Sequence, residues 1–245
     1  MSSTLPLDAD AAQATMAAVV GAAKTAFQSR RLRYIKIDET NEDIKAFMAQ
    51  VEGDPATHSL ANPSLFRPQG RKDIDNSTEQ FAKSFLGVAM CLLPSEEEKG
   101  TETKDPAASS TSAQADGGNA SGDDTGKTTG TIIGTMCLGW GGIPAAFAHH
   151  RNAQLGIVLA DRYQGRGYGR EAINWMLDWA FRHGGLHTVS LTTSSFNERG
   201  IHLYGDMGFR LEGRRRQVIW FDRRWHDELW FGMTEEEWER LRGLR

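Results

Sequence analysis

The chain has 245 residues, a net charge of −4 and a pI near 6.0, and this length suits one domain with a full core. Its charge gives no global attraction to nucleic acid or to an anionic membrane surface, so we expect neither as a partner. No apolar run approaches the roughly 20 residues that span a bilayer, and the N-terminal residues show no secretory signal. Two cysteines are too few for a disulfide framework, and together these features predict a cytoplasmic protein.

The first residues predict an extension that precedes a single domain. Residues 1–30 are rich in Ala with few large apolar side chains, and we interpret them as an N-terminal extension that is helical in part. The domain then covers residues 31–245 and opens with a strand over 32–37. A capped helix with apolar residues at helical spacing follows, and residues 54–72, which carry several prolines, are interpreted as loop.

Residues 94–130 differ in composition from everything around them. They contain no aliphatic side chain larger than Ala and are built mainly from Ser, Thr, Gly, Asp, Glu and Ala. Such a segment cannot bury enough apolar surface to offset the entropy of ordering it. We interpret it as a disordered insertion in a hairpin loop, and the alternative is a regulatory or partner-binding loop.

A glycine-rich turn over residues 164–170 separates an apolar run from an amphipathic segment. Glycine permits a tight turn and a close backbone approach to a ligand, and the first amides of the following helix lack intrahelical partners. Those amides and the helix dipole favour a phosphate or pyrophosphate. The turn lacks the Lys and Ser/Thr of a P-loop, and its glycines alternate, unlike those of a dinucleotide fingerprint.

The remaining elements predict the fold class. A strand over 187–193, a helix that Asn197 can cap, and two strands over 210–220 and 225–233 follow the helix after the turn. This order predicts an α/β fold with a mixed sheet and helices on both faces.

A second cluster of residues lies downstream, with Asn197, Gly200, Tyr204 and Gly208–Phe209 at fixed spacing. Together with the turn, this cluster resembles the GCN5-related N-acetyltransferase (GNAT) family, and the tail over 213–238 resembles its ribosomal-protein-alanine and polyamine branch. The resemblance implies a mostly antiparallel central sheet. It also implies acetyl-CoA as co-substrate, transfer of its acetyl group to an amine, and no metal.

The resemblance also implies roles for individual residues. Tyr204 would protonate the departing CoA thiolate, which suits a phenol with an ordinary pKa near 10. Asn197 would hydrogen-bond the pantetheine arm. That arm would run along the strand Ile157, Val158 and Leu159, where a backbone amide can donate to the thioester oxygen. The pyrophosphate would bind the amides of Gly165, Arg166, Gly167, Tyr168, Gly169 and Arg170.

No general base can be named from the sequence. Many members of the family carry a Glu on the strand before the glycine turn, but the comparable position here holds Gln154, which cannot accept a proton usefully. His149, His150, Asp227 and Glu228 have suitable chemistry without suitable spacing. An arginine-rich stretch on the last strands could repel a cationic acceptor, whereas the neighbouring carboxylates would attract one.

Two functions from different classes therefore stay open. The first is an N-acetyltransferase acting on a primary amine of a small molecule, a polyamine or a peptide. The second is a non-catalytic acetyl-CoA-binding sensor or interaction module. The oligomeric state and the identity of the acceptor stay open.

Overall fold

A computed structural model of the chain describes residues 16–17, 19–21, 23–61, 64–96 and 130–245. Its strands are β1 (Leu32–Lys36), β2 (Leu86–Leu92), β3 (Ile132–Leu138), β4 (Asn152–Leu159), β5 (Thr188–Ser194), β6 (Arg210–Phe221) and β7 (Arg224–Thr234). Its helices include α1 (Glu42–Glu52), α2 (Pro55–Ala61), α3 (Arg71–Lys83), α4 (Tyr168–Arg182), α5 (Glu198–Asp206) and α6 (Glu235–Leu241). The predicted insertion over 94–130 lies almost wholly outside the described residues, as does the first half of the predicted N-terminal extension.

The strands form one sheet in the order β1-β2-β3-β4-β5-β7-β6. Neighbouring strands are antiparallel except for β4 and β5, which run parallel. The predicted α/β fold with a mixed, mostly antiparallel sheet is therefore confirmed.

The parallel pair is short and then opens. Strand β4 pairs with β5 only over Asn152–Gln154, whereas its remaining residues pair with β3 alone. Strand β5 continues beside β7 as far as Ser194. The two parallel strands therefore diverge after Gln154, and this opening lies in the middle of the sheet.

Helices cover both faces of the sheet, as predicted. Helix α4 buries Ile173 and Met176 on one face, together with Trp238 of α6. Helix α1 buries Ile44 and Met48 on the other face. None of the helices within the described ranges has the length and apolar character needed to cross a bilayer.

Part of the predicted loop over residues 54–72 is helical, so that prediction was wrong. Pro55 occupies the first position of α2, where its missing N–H costs nothing, and the Asp54 carboxylate accepts a hydrogen bond from the Thr57 amide at 3.1 Å. The prolines were interpreted as breakers, although this one starts a helix. Helix α3 also begins within this range, at Arg71.

The end of the predicted N-terminal extension is attached to the domain. The Trp175 indole N–H donates to the Ala26 carbonyl at 2.8 Å, and Ser29 donates to Glu171 at 2.7 Å. The rings of Tyr34 and Trp175 stack with their centroids 3.7 Å apart. These contacts connect residues 26–34 to the first two turns of α4, so the division at residue 31 stays a prediction.

Candidate active site

The edge of β4 that faces the opening is not paired with another strand after Gln154. Gly139 N donates to the Gln154 carbonyl at 2.8 Å and Ala160 N donates to the Ile133 carbonyl at 3.0 Å, so every second residue of β4 bonds to β3. Because the backbone groups of successive strand residues point to opposite edges, the amide of Ile157 points toward β5, beyond the last residue of β4 that pairs with β5. A ligand that enters the opening can therefore add its own hydrogen bonds to this edge.

A cavity of about 470 Å³ begins at this opening and extends over the glycine turn; we call it the cofactor cavity. It brings together residues of β4, the turn and α5 that the sequence places far apart. The predicted site residues that line it are Ile157, Val158, Leu159, Gly165, Gly167, Gly169, Arg170, Asn197 and Tyr204. Arg166 and Tyr168 do not line it. The Tyr168 ring is buried in the core, and the roles predicted for both residues involve only their backbone amides.

The glycine turn has a backbone conformation that requires glycine. Gly165 has φ +72° and Gly167, the residue that caps α4, has φ +80°. Both values lie in the left-handed region that side chains with a Cβ rarely adopt. A Cβ at Gly167 would also lie 3.4 Å from the Arg31 guanidinium. The turn therefore presents the first amides of a 15-residue helix without a side chain in front of them.

A brace that the sequence did not reveal holds this turn. Glu171, in the first turn of α4, accepts hydrogen bonds from the Arg31 amide and the Arg31 Nε, both at 2.7 Å. The same guanidinium donates to the Arg166 carbonyl at 3.0 Å and lies 4.3 Å from the centre of the Tyr168 ring. Burial raises the pKa of Glu171, but the hydrogen bonds from Ser29 and Arg31 outweigh it and lower the pKa overall. The partners are 140 residues apart in the chain, so no spacing could have indicated them.

Asn197 and Tyr204 lie on the α5 side of the cofactor cavity. The Asn197 side chain caps α5 by accepting from Gly200 N at 3.1 Å, and it donates to Thr193 at 3.1 Å. The Tyr204 ring packs against Phe209 and Phe231, with centroids about 6 Å apart. Burial raises the pKa of Tyr204, so its phenol keeps its proton at neutral pH and can act as an acid.

A second cavity, of about 420 Å³, adjoins the first; we call it the acceptor cavity. The two cavities share Thr57, Ala61, Ile157 and Val158, so they meet on β4 where the strands diverge. The residues that line only the acceptor cavity come from α1, α2, α3, β3, the turn after β3, β4 and β5. They are Val51, Glu52, His58, Phe81, Cys137, Trp140, Gln154, Leu155, Gly156 and Thr192.

The candidate bases considered from the sequence do not lie in either cavity. His149 and His150 are exposed in the short 3₁₀ helix Ala145–His150. Asp227 forms an ion pair with Arg214 at 2.6 Å, and Glu228 forms one with Arg215 at 3.1 Å. These two ion pairs also neutralise part of the arginine-rich stretch, which weakens its expected repulsion of a cationic acceptor.

Gln154 lines the acceptor cavity. Its side-chain amide donates to the Thr192 hydroxyl at 3.1 Å and so bridges β4 and β5 where they diverge. Two ionisable residues of this cavity, Glu52 and His58, were not indicated by the sequence. His58 lies within residues 54–72, which were interpreted as loop, and no spacing pairs Glu52 with it. Within the described ranges, no group of three or more His, Cys, Asp or Glu side chains is arranged to hold a metal ion.

Comparisons with known proteins agree with this geometry. Residues 90–209 match the family model of the acetyltransferase (GNAT) family. A spermidine N(1)-acetyltransferase from Vibrio cholerae is 35% identical over 78 residues, which are 32% of this chain and 45% of that protein. A ribosomal protein uS5-alanine N-acetyltransferase from Escherichia coli is 25% identical over 84 residues, 34% of this chain and 43% of that protein. The chain spans about half the length of the curated relatives it matches.

The fold is also found in solved structures. The crystal structure of spermidine N-acetyltransferase from Vibrio cholerae in complex with CoA and spermine superposes with a TM-score of 0.60, at 16% sequence identity. The superposition covers 86% of this chain and 99% of that chain. The match over residues 90–209, just under half of the chain, confirms the resemblance to the acetyltransferase (GNAT) family that was drawn from the two clusters.

Proposed function

We propose that the protein transfers an acetyl group from acetyl-CoA to a primary amine. The observation that carries the proposal is the pair of cavities, about 470 and 420 Å³, that meet at Ile157 and Val158. A thioester reaching this junction from one cavity would meet a nucleophile arriving from the other. Two-substrate transfer needs such a junction, because the reacting atoms must be held together before any bond changes.

The cofactor cavity fits acetyl-CoA along its length. The amides of Gly165 to Arg170 at the start of α4 would bind the pyrophosphate. The pantetheine arm would add to the open edge of β4 and end near Ile157, whose amide points into the opening. That amide could donate to the thioester oxygen as negative charge develops on it. Asn197 would hydrogen-bond the arm, and the Tyr204 phenol would protonate the departing thiolate.

The acceptor cavity favours a cationic amine with an apolar body. Phe81, Trp140 and Val51 supply apolar walls, and Glu52 supplies a carboxylate. The relatives named above are a spermidine N(1)-acetyltransferase and a ribosomal protein uS5-alanine N-acetyltransferase, and both spermidine and alanine contain a primary amine. We extend the polyamine or peptide class to this chain, together with the cytoplasmic location expected from the sequence.

Gln154 favours a second candidate function, a non-catalytic acetyl-CoA-binding module. An amide at this position cannot deprotonate an acceptor, and an inactive module would need no base. This candidate predicts the same cofactor cavity but no release of CoA thiol.

The experiment that separates the two candidates measures CoA thiol release and acetyl-CoA binding in parallel. The acceptors are spermidine, spermine, a peptide with N-terminal alanine, and tryptamine as an amine with an aromatic body. Acetyl-CoA binding followed by thiol release with at least one acceptor supports the transferase. Binding with no release above the rate in buffer supports the module, and absence of acetyl-CoA binding contradicts both.

A further inference from the structure

We propose that His58, oriented by Glu52, is the general base that takes a proton from the acceptor amine. This role rests on the proposed function, because it needs an acceptor in the acceptor cavity. In this proposal His58, from helix α2, takes the role that Gln154 of strand β4 cannot perform, because Gln154 has an amide in place of a carboxylate.

The geometry joins the two side chains at the wall of the acceptor cavity. Glu52 is the last residue of α1 and His58 lies in α2, and both line the cavity. His58 Nδ1 lies 3.2 Å from Glu52 Oε2. The imidazole is buried, with 3% of its side chain exposed, and the Glu52 side chain is 15% exposed. The Ser77 hydroxyl of α3 donates to the other Glu52 oxygen at 3.4 Å, so the carboxylate is held from two directions.

The pairing of His58 with Glu52 determines which imidazole nitrogen can accept a proton. With Nδ1–H donating to the carboxylate, the neutral ring keeps its lone pair on Nε2. Among the described residues, Nε2 is buried and has no hydrogen-bond partner. A buried polar atom without a partner is costly, and an N–H of a bound acceptor would supply the missing bond. The base, its orienting carboxylate and an acceptor nitrogen without a partner form the arrangement that activates nucleophiles in other enzymes.

No other described group of this cavity can take the role. Apart from Glu52 and His58, the ionisable side chain that lines it is Cys137, and burial raises the pKa of that thiol to about 11. Gln154 and Thr192 are hydrogen-bonded to each other and have no basic atom at neutral pH. The Glu52 carboxylate already accepts hydrogen bonds from His58 and Ser77, so Glu52 acts as the residue that positions His58.

The proposed step balances as follows. Nε2 of His58 takes one proton from the acceptor ammonium, which leaves a neutral amine and an imidazolium. The amine lone pair attacks the thioester carbonyl carbon, the C–N bond forms, and the C–S bond breaks. The sulfur takes a proton from Tyr204, which regains one from the acylated nitrogen through solvent. The imidazolium returns its proton to water, so the products are the amide, CoA thiol and one proton.

One test uses the wild-type protein without any acceptor. In protein labelled with ¹⁵N-histidine at neutral pH, the His58 signals are assigned as those missing from His58→Gln. The proposal expects a neutral ring with the proton on Nδ1, and it expects Glu52→Gln to alter that signal. A ring protonated on Nε2, or on both nitrogens, would overturn it.

The second test compares acceptors that differ in their need for a base. Spermidine and a peptide with N-terminal alanine arrive wholly or partly as ammonium ions, whereas hydroxylamine is neutral at assay pH and needs no deprotonation before attack. For His58→Gln, kcat should fall by about 100-fold or more with whichever of spermidine and the alanine peptide the wild-type protein acetylates faster. A general base commonly accelerates a reaction by this factor. With hydroxylamine the loss should be much smaller, and KM for acetyl-CoA should hardly change.

Controls and outcomes keep this role separate from a structural one. His187→Gln removes an imidazole that lies 3.9 Å from Glu235 on the surface and lines neither cavity, so its activity should stay at the wild-type level. Equal losses of kcat for all acceptors in His58→Gln would indicate damage to the fold and overturn the base role, as would an unchanged kcat. If the wild-type protein acetylated none of the acceptors, the proposed function would fail, and the base role with it.

Discussion

The cofactor cavity and the acceptor cavity are built in different ways. One side of the cofactor cavity consists of backbone, supplied by the glycine turn, the open edge of β4 and the start of α4, and residues of α2 and α5 line the rest. The acceptor cavity consists mainly of side chains from three helices, three strands and the turn after β3. A backbone site requires glycines at fixed spacing and so leaves a pattern in the sequence, whereas a side-chain site is assembled by the fold and leaves none.

The largest effect is expected from Gly167→Val, which tests whether the backbone holds the cofactor. The φ of +80° strains any β-branched residue, and the new side chain would block the approach to the α4 amides. Loss of two charge-assisted hydrogen bonds, at about 1.5 kcal/mol each, weakens acetyl-CoA binding by at least ~100-fold. Calorimetry measures this.

Gly185→Val is the matched control for that strain. Gly185 has φ +61°, lies after the end of α4 and lines neither cavity. The Gly185→Val protein should be less stable than the wild-type protein but should bind acetyl-CoA with the same affinity. Equal affinity losses in both variants, or a folded Gly167→Val protein that binds normally, would contradict the backbone site.

Tyr204→Phe tests the chemistry at the junction of the cavities. The ring and its packing against Phe209 and Phe231 are kept, so only the proton donor is lost. We expect kcat to fall by about 100-fold, the lower end of general-acid help, because a thiolate is already a good leaving group. The dissociation constant of acetyl-CoA should hardly move, as for an interaction used only in the transition state. A kcat within twofold of wild type, with chemistry rate-limiting, would remove Tyr204 from the mechanism.

Glu171→Gln tests whether side chains brace the backbone site. The variant loses hydrogen bonds from Arg31 to a charged carboxylate, so the free energy of unfolding at pH 7 should fall by about 1–3 kcal/mol. Acetyl-CoA binding should weaken only a few-fold. Glu236→Gln, which breaks a half-exposed pair with Arg245, should change stability by less than about 1 kcal/mol.

The difference in unfolding free energy between the wild-type protein and Glu171→Gln should depend on pH, and its sign can be worked out. The folded protein lowers the pKa of Glu171, so the carboxylate stabilises the fold above the pKa of the unfolded chain. This contribution is lost as pH falls through the lower folded value. Denaturant unfolding should therefore show the gap between wild type and Glu171→Gln closing below about pH 4.5, the usual pKa of Glu. A gap that widened on acidification would contradict the brace.

The smallest effect is expected from removing most of the predicted insertion over residues 94–130. Replacing residues 97–129 with a short Gly-Ser linker removes a segment whose composition cannot build either kind of site. Thermal unfolding should be unchanged and turnover should stay within a few-fold. Loss of folding or of all turnover would show that the segment forms part of the structure or of the site.

The sequence allowed the fold class, and most of the predicted residues that line the cofactor cavity, to be indicated in advance. Alternation and helical spacing indicated the mixed sheet, and the glycines with Asn197 and Tyr204 indicated residues that the structure brings to one cavity. These features depend on local backbone conformation, which residue type and spacing determine directly.

The Arg31–Glu171 brace and the Glu52–His58 pair could not be predicted in that way. The first joins residues 140 positions apart, and the second depends on α2, whose Pro55 was interpreted as a loop residue although it begins a helix. Both depend on how helices pack against the sheet, and a single sequence does not encode that packing as a spacing.

The most direct test of the two-cavity account is a crystal structure of the protein with acetyl-CoA. We expect the pyrophosphate within hydrogen-bond distance of the amides of residues 165–170. We also expect the thioester at Ile157 and Val158, with its carbonyl carbon open to the cavity lined by Glu52 and His58. Acetyl-CoA bound away from the opening between β4 and β5, or with its thioester closed off from that cavity, would contradict the account.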